Sequence, residues 1–576
     1  MDNNSNDKAH MEQEVDWLVA GSGAAGMTGA VVAHQLGGNV LLVEKEAVFG
    51  GTTAKSGGVA WIPGNHCQQE AGISDSIEEG YAYLKGLIGD TVDDARLRAY
   101  AQRAPEMLRF MMKHSHLHYT PLPQYMDYYE HIPGYKTGGR SMDSAPFSLR
   151  KLGREAKSMR RGHYAGLMLP FNVTVIEGVK LQAMDRGAYL TGLKLLLRYL
   201  LDIPARLKKQ EDNRATLGPS VVARLRRSMM DRDIPLWLNA PMKELIVENG
   251  RVRGAIINRG NEEVRVIARR GVLLATGGFS QNAELRQLHQ QAPTGADWTA
   301  SAPGATGDGI VMGQQVGAAL GFMSSAWWSP TYTLPDGRTL ALISGKSYPG
   351  SIMINRQGKR FTNEAQPYED LIKDQYASEA RGEDAIPCYL IFDAKYRGKY
   401  SAGHIKPGKI EDDDKIPQAN LESGLLTIAP TLAVLAEKLS IDGETLQATV
   451  TRFNEYARQG VDPDFGRGST EHDKYYADKK VSPNPSLGPL EQGPFYALRC
   501  DPGDLDTKGG LACDEHGRVT DNAGAIIPGL YAAGNTSAAV MGDTYPGAGA
   551  TIGSAMTFAY IAAQHALGSP PKGGNA

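Results

Sequence analysis

The feature that most restricts what this chain can fold into is a glycine turn set between two apolar strands, all within its first 45 residues. Val15-Asp16-Trp17-Leu18-Val19-Ala20 reads as a short buried strand. Gly21-Ser22-Gly23-Ala24-Ala25-Gly26 then opens an alanine-rich helical stretch to about Leu36, and residues 39–43 form a second apolar strand that ends at Glu44. A bare GxGxxG carries little information; strand, turn, helix, strand and a closing acid together describe a dinucleotide site. Gly21, Gly23 and Gly26 permit the tight turn, the pyrophosphate approach and helix–strand packing. The helix start around Ala25 faces the phosphates, and Glu44 is placed to accept from the adenosine ribose hydroxyls.

The same chemistry recurs far along the chain. Gly50-Gly51-Thr52-Thr53-Ala54-Lys55-Ser56-Gly57-Gly58 is a small-residue loop too polar for a core, and it admits a pyrophosphate and a flat ring edge. Two further apolar strands run into glycine turns, one through Ala275 and Gly277 and one through Gly534-Asn535. The chain has 67 glycines in 576 residues, well above the usual share of roughly 7%, and they cluster in such loops. The expected architecture is an α/β Rossmann-like nucleotide domain assembled from N- and C-terminal segments, with an α+β substrate domain between them. The expected divisions are a loose N-terminus (1–14), nucleotide parts at 15–138, 233–321 and 502–576, a helical insertion or cap at 139–232, and a substrate domain at 322–501. Residues 236–257 read as a hairpin turning at Glu248-Asn249-Gly250-Arg251, and residues 352–361 as another. Residues 431–459 read as helical, broken near Asp442-Gly443, with Thr445 as N-cap.

Bulk properties exclude several function classes. A formal net charge of −3 gives no basic excess for nucleic acid. Cys67, Cys388, Cys500 and Cys513 lack any CxxC spacing, which points to a reducing compartment without disulfides or zinc. The polar start argues against a signal peptide and for a cytoplasmic protein. Residues 189–209 place Leu193, Leu195, Leu196, Leu197, Leu200 and Leu201 among Lys194, Arg198, Arg206, Lys208 and Lys209. That segment is too short and too charged to span a bilayer. It either packs on its own protein or lies flat on a membrane as a basic amphipathic helix. His66 beside Cys67, Trp327-Trp328, Arg226-Arg227 and Lys359-Arg360 read as a loop, core packing, a solvated helix face and a structural turn.

The last informative segment is Thr544-Tyr545-Pro546-Gly547-Ala548-Gly549-Ala550-Thr551-Ile552-Gly553. A phenol and a backbone N–H four residues apart at a helix start can both point at one oxygen, the grip needed for a carbonyl that becomes an enolate. With this segment the chain resembles the fumarate-reductase/succinate-dehydrogenase flavoprotein superfamily, and within it the 3-ketosteroid dehydrogenases, notably the Δ1-dehydrogenases. The shared nucleotide motifs are Gly21 to Gly26, Glu44-Lys45, Gly50 to Gly58, Thr306-Gly307-Asp308-Gly309 and Gly534-Asn535. The narrower ones are Asp127-Tyr128-Tyr129, Pro494-Phe495-Tyr496-Ala497, the stretch from Gly503 to Leu511, and Thr544 to Gly553.

The resemblance implies non-covalent FAD, since no His-Thr pair follows Gly50-Gly51. Lys45, Asp308, Ala550, Thr551 and Ile552 join the cofactor contacts on the same ground. It also implies dehydrogenation of a 3-ketosteroid at C1–C2 and an external electron acceptor. Tyr545 and Gly549 then hold the ketone oxygen. A substrate-domain tyrosine takes the α proton, assisted by the tyrosine matching Tyr128. The position of that base aligns with Leu340, which leaves Tyr348 and Tyr332 as the nearest candidates, with Tyr129 and Tyr496 as further pocket residues. Residues 545–553 carry neither His nor Arg, so a dicarboxylate site is disfavoured. A Δ4-dehydrogenase, an enone or fumarate-type reductase, and a non-catalytic steroid-binding protein are the alternatives; Gly547 favours Δ1 over Δ4.

Overall fold

The computed structural model describes residues 11–162, 170–182, 186–207 and 212–568. The N-terminal unit folds as strand β1 (Met11–Ala20), helix α1 (Ala24–Gln35) and strand β2 (Val40–Val43). β1 begins at Met11 and pairs through residues 11–15 with residues 264–268, so this part of the polar start is ordered strand. β1 lies between β2 and the long strand Glu262–Leu274, parallel to both. Strand Ile526–Ala532 adds in parallel on the far side of Glu262–Leu274, and the short Leu236–Trp237 adds in parallel beyond β2. One parallel core is therefore assembled from three distant stretches of chain. α1 is buried along residues 24–33 and packs against the C-terminal helix Ala550–Leu567. A Cβ at Gly29 would lie 2.6 Å from a Leu273 methyl, which is why small residues dominate this helix.

Met242–Glu248 and Arg251–Arg259 form a hairpin at the expected turn, with both turn residues at positive φ (Asn249 +50°, Gly250 +72°), but it begins at Met242 because Leu236–Trp237 pairs with β2 instead. Residues 352–361 do not form one. Ser351–Ile354 pairs instead with Cys388–Phe392, and only Ile354 and Arg360 bridge. Past that bridge the chain leaves the strand, and Arg360 is occupied by buried ion pairs to Glu364 and Asp462, both at 2.8 Å. The break near Asp442 is present, but the cap differs. Asp442, not Thr445, caps helix Gly443–Gln459 by accepting from Thr445 N at 2.8 Å and from its hydroxyl.

The second unit is an antiparallel sheet organised by the long strand Phe495–Thr507. One half of that strand pairs with Ala326–Thr333, the other with Cys388–Phe392 and Leu426–Ala429. Helix Tyr368–Ala380 packs across Ala326–Thr333 and starts at the junction with the nucleotide unit. The insertion contributes helices Val175–Gln182, Arg186–Leu201 and Ile203–Leu207. Its last helix, Leu217–Met230, returns to pack on α1. Arg226 on that helix is buried and paired with Glu155 at 2.5 Å, so it is not a solvated face. Lys208 and Lys209 of the basic segment lie outside the described residues, as do residues 1–10.

Candidate active site

One serine joins the first glycine turn to the acid that follows β2. Ser22 donates to Glu44 through its N (3.1 Å) and Oγ (2.5 Å), and its Oγ accepts from Gly50 N at 2.9 Å. Glu46 N donates to the other Glu44 oxygen at 3.0 Å. A carboxylate offers about four acceptor positions, so Glu44 keeps capacity for a ribose hydroxyl. Thr53 Oγ1 accepts from Ala24 N (3.0 Å) and Thr52 Oγ1 from Ala302 N (3.1 Å). These two hydroxyls fix the helix start and the opposite wall. Lys45 pairs with Asp308 at 2.8 Å at the outer end.

A continuous cavity of about 350 Å³ runs from Glu44 past this turn to Tyr545. Every residue expected to hold the nucleotide lines it, except Gly26 and Ala550. Gly26 serves packing instead: a Cβ there would stand 1.8 Å from the Gly21 carbonyl oxygen. Ala550 is turned inward, with its N–H donating to Gly547 O at 3.2 Å. Asp506, within the Gly503 to Leu511 stretch, and Ala300, Ala302 and Gly304 of the opposite wall also line the cavity, though none of them is among the expected cofactor contacts. Asp506 is buried and holds the far turns together, accepting from Asn535 Nδ2 (3.0 Å), Gly278 N (3.2 Å) and Ser280 Oγ (2.8 Å). Burial pushes its carboxyl above the usual range.

The residues present fit FAD. A Cβ at Gly57 would meet nothing within 4 Å and one at Gly51 nothing nearer than 3.8 Å, so the cavity has room where a pyrophosphate and a flat ring must pass. α1 and the C-terminal helix both begin at this cavity without side-chain caps. Each therefore offers a positive helix end to the cavity, one at the glycine turn and one beside Tyr545. Among the described residues no cluster of metal ligands occurs.

The Thr544–Gly549 turn is pinned from four sides. Tyr83 Oη (2.8 Å) and Tyr128 N (3.0 Å) donate to Pro546 O, Ser141 Oγ to Ala548 O (2.9 Å), and Trp61 N to Gly549 O (3.0 Å). Gly549 has φ +95°, and a Cβ on it would lie 2.6 Å from the Val59 carbonyl group, so only glycine fits. Its own N–H has no partner among the described residues. Tyr545 is buried, with Trp327 edge-on at 5.0 Å between centroids. Trp327 and Trp328 point to opposite faces of their strand: Trp327 reaches this site, where its Nε1 donates to Asn535 at 3.0 Å, while Trp328 packs on Tyr376.

Two more tyrosines complete the group. Tyr128 and Tyr368 stand 5.6 Å and 5.3 Å from Tyr545 by centroid, and Tyr128 Oη donates to Tyr368 Oη at 3.3 Å. Burial raises all three phenols above their ordinary pKa. The Tyr128 hydroxyl pulls Tyr368 back down, while the same bond pushes Tyr128 up. A bond between Tyr368 and Tyr545 acts the other way, raising Tyr368 and lowering Tyr545. Beyond it, Tyr125 and Tyr476 share a 2.6 Å bond.

Tyr368 has no counterpart among the sequence candidates for the base. Tyr332 stacks on His404 (5.4 Å) with its ring against Gly403, inside the core of the second unit. Tyr348 stacks on Tyr400 (4.8 Å) and lines a neighbouring cavity under the insertion. Leu340 pairs with Tyr332 across the strand. Tyr129 donates to Asp370 (3.2 Å) and Tyr496 stacks on Phe392 (5.0 Å), both away from the cavity. The one sequence signal for Tyr368 is Pro367-Tyr368 ahead of a helical run, a common helix start that marks no chemistry.

A family model described as "FAD binding domain" matches residues 16–552. The 3-oxosteroid 1-dehydrogenase of Mycobacterium tuberculosis (strain ATCC 25618 / H37Rv) is 42% identical over 567 residues, covering 96% of this chain and 98% of that protein. The 4-oxocyclohexanecarboxylate 2-dehydrogenase of Sinomonas cyclohexanicum is 35% identical, covering 96% and 93%. The 3-ketosteroid Δ1-dehydrogenase of Sterolibacterium denitrificans, solved with 1,4-androstadiene-3,17-dione, superposes with a TM-score of 0.93 at 41% identity. It covers 97% of this chain and 100% of that structure.

Proposed function

This chain belongs to the FAD binding domain family, alongside the 3-oxosteroid 1-dehydrogenases, and from that we propose that it desaturates a 3-ketosteroid at C1–C2. The observation that carries the reading is the three-phenol group at the inner end of the FAD cavity, with a free glycine N–H beside it. FAD, when bound, supplies the acceptor for the hydride that leaves the β carbon. Tyr545 Oη and Gly549 N–H hold the ketone oxygen as it gains negative charge. Neutral donors suit this step because they stabilise an enolate without burying a charge beforehand. Tyr368 takes the proton from the α carbon, and Tyr128 stabilises the phenolate by donating to it.

A ring ketone that carries a carboxylate is the nearest competing substrate class, given the Sinomonas relative. The phenol end is lined by Tyr125, Tyr368, Tyr476, Ala341, Ile343 and Tyr545, none of them cationic, which favours an uncharged ring system. Anaerobic mixing with a 3-keto-4-ene steroid should bleach the flavin and release the 1,4-diene. Bleaching by 4-oxocyclohexanecarboxylate alone, or a steroid product unsaturated elsewhere, would overturn the assignment. Electrons then pass to an external acceptor.

Contact with a membrane surface is the second part of the proposal. No helix among the described residues is long and apolar enough to cross a membrane. Helix Arg186–Leu201 nevertheless exposes Tyr189 (71%), Leu190, Leu193, Leu197, Leu200 and Leu201 (74%), beside Lys194 and Arg198. That face suits an anionic bilayer surface. Co-sedimentation with anionic vesicles should be lost in Leu193→Glu/Leu197→Glu; unchanged binding would remove the helix from the reading.

A further inference from the structure

The base and the ketone-binding phenol sit on segments 177 positions apart (545 − 368), and one buried ammonium touches the neighbours of both. Lys508 is fully buried. Its Nζ lies 2.8 Å from each carboxylate oxygen of Glu369 and 2.8 Å from the Thr544 carbonyl oxygen. An ammonium has three N–H groups, so all are used. Glu369 follows Tyr368 in the chain, and Thr544 precedes Tyr545. The same Nζ stands 4.7 Å over the Trp327 ring, whose edge contact supports Tyr545.

The backbone of Lys508 is fixed as well: its N donates to Ser325 O and its O accepts from Ala539 N, both at 3.0 Å. Helix Tyr368–Ala380 has no side-chain cap at Pro367, so its first turn is held through Glu369 rather than by a cap of its own. Lys373, one turn later, reaches Glu369 at 3.2 Å and Asp543 O at 2.6 Å, but is part-exposed.

We propose that Lys508 is a positioning residue that sets the spacing between Tyr368 and Tyr545 through Glu369 and Thr544. The inference rests on the roles given to those two phenols above. The α carbon and the ketone oxygen belong to one rigid unit, so base and donor must meet it at a single separation. A buried ion pair is weak evidence of stabilisation, since apolar replacement is often neutral. The third N–H also has to be satisfied in a purely structural pair, but here its acceptor is the carbonyl of the residue that precedes the ketone-binding phenol.

Lys508→Met is the direct test. A misplacement of about 1 Å costs about 100-fold in rate, so kcat should fall about 100-fold while KM for the steroid stays within about threefold. The isotope effect with 2-deuterated steroid should rise as proton removal becomes limiting; the melting temperature should fall because Glu369 loses its partner, so turnover is counted per folded, flavin-loaded enzyme. Glu369→Gln, which keeps Lys508 bonded to Thr544, should lose less and in the same direction, and it decides the matter if Lys508→Met does not fold. The proposal is overturned by Lys508→Met turnover within threefold of the parent. It is also overturned if both variants lose activity only in proportion to lost flavin or unfolded protein. Failure of the underlying reading is separable, because Tyr368→Phe would then keep its turnover whatever Lys508→Met does.

Discussion

The two halves of the reaction site respond oppositely to the same physical effect. Burial raises the pKa of Tyr545 and of Tyr368 alike. For the role proposed for Tyr545 this is useful, because a phenol that keeps its proton stays a hydrogen-bond donor to a ketone. For Tyr368 it is an obstacle, because a base must first lose its proton. The donor half needs only a dry pocket and a pinned turn. As the proposed base, Tyr368 needs compensation for burial and for its bond to Tyr545, which also raises it. The Tyr128 hydroxyl at 3.3 Å and a place at the first residue of helix Tyr368–Ala380, where the helix end is positive, act in that direction. Apolar enclosure alone therefore builds half of this site, and the other half depends on long-range partners.

Removing the base should have the largest effect: Tyr368→Phe is expected to lower kcat by about 10³-fold, with the flavin spectrum intact. Retained turnover would move the base elsewhere and dissolve the contrast. Tyr545→Phe removes one donor and should cost about 10²–10³-fold in kcat. If its loss equalled that of Tyr368→Phe and the double variant lost no more, the halves would be acting as one unit. Tyr128→Phe deletes a hydrogen bond to a developing phenolate, worth about 1.5–3 kcal/mol, and should slow turnover roughly 10–100-fold. A loss confined to KM would instead make Tyr128 a wall of the pocket.

The smallest effect is graded with pH and bears on the contrast most directly. A base whose pKa lies above the working pH is mostly protonated, so raising pH increases its active fraction. Turnover should climb toward about tenfold per pH unit through the neutral and mildly alkaline range. No falling limb should appear from Tyr545, whose raised pKa keeps its proton there. A bell with its maximum near neutrality would mean that Tyr368 is not the titrating base.

The legible and illegible parts of this protein divide along the same line. The nucleotide turn, Glu44 and the Tyr545–Gly549 turn at the cavity are legible because each is built by backbone geometry within a few consecutive residues. A glycine at φ +95°, an uncapped helix start and an acid after a strand all leave local marks in composition and spacing. Alignment around Leu340 pointed to Tyr332 and Tyr348, yet the pleat and stacking of that region turn both into other environments. Tyr368 looks like any residue after a proline at a helix start. Arg226 likewise reads as a solvated charge until Glu155, 71 positions away, is brought against it.

By itself, then, the sequence determined the FAD cradle, the parallel sheet beneath it and the turn proposed to bind the ketone, because backbone-mediated recognition is encoded by neighbours in the chain. Only the tertiary structure brought Tyr368, the proposed base, to the cavity beside Tyr128 and Tyr545. That role depends on burial, on Tyr128 donating across 240 positions, and on the helix packed at the junction of the two units. None of those influences exists until the sheets are assembled.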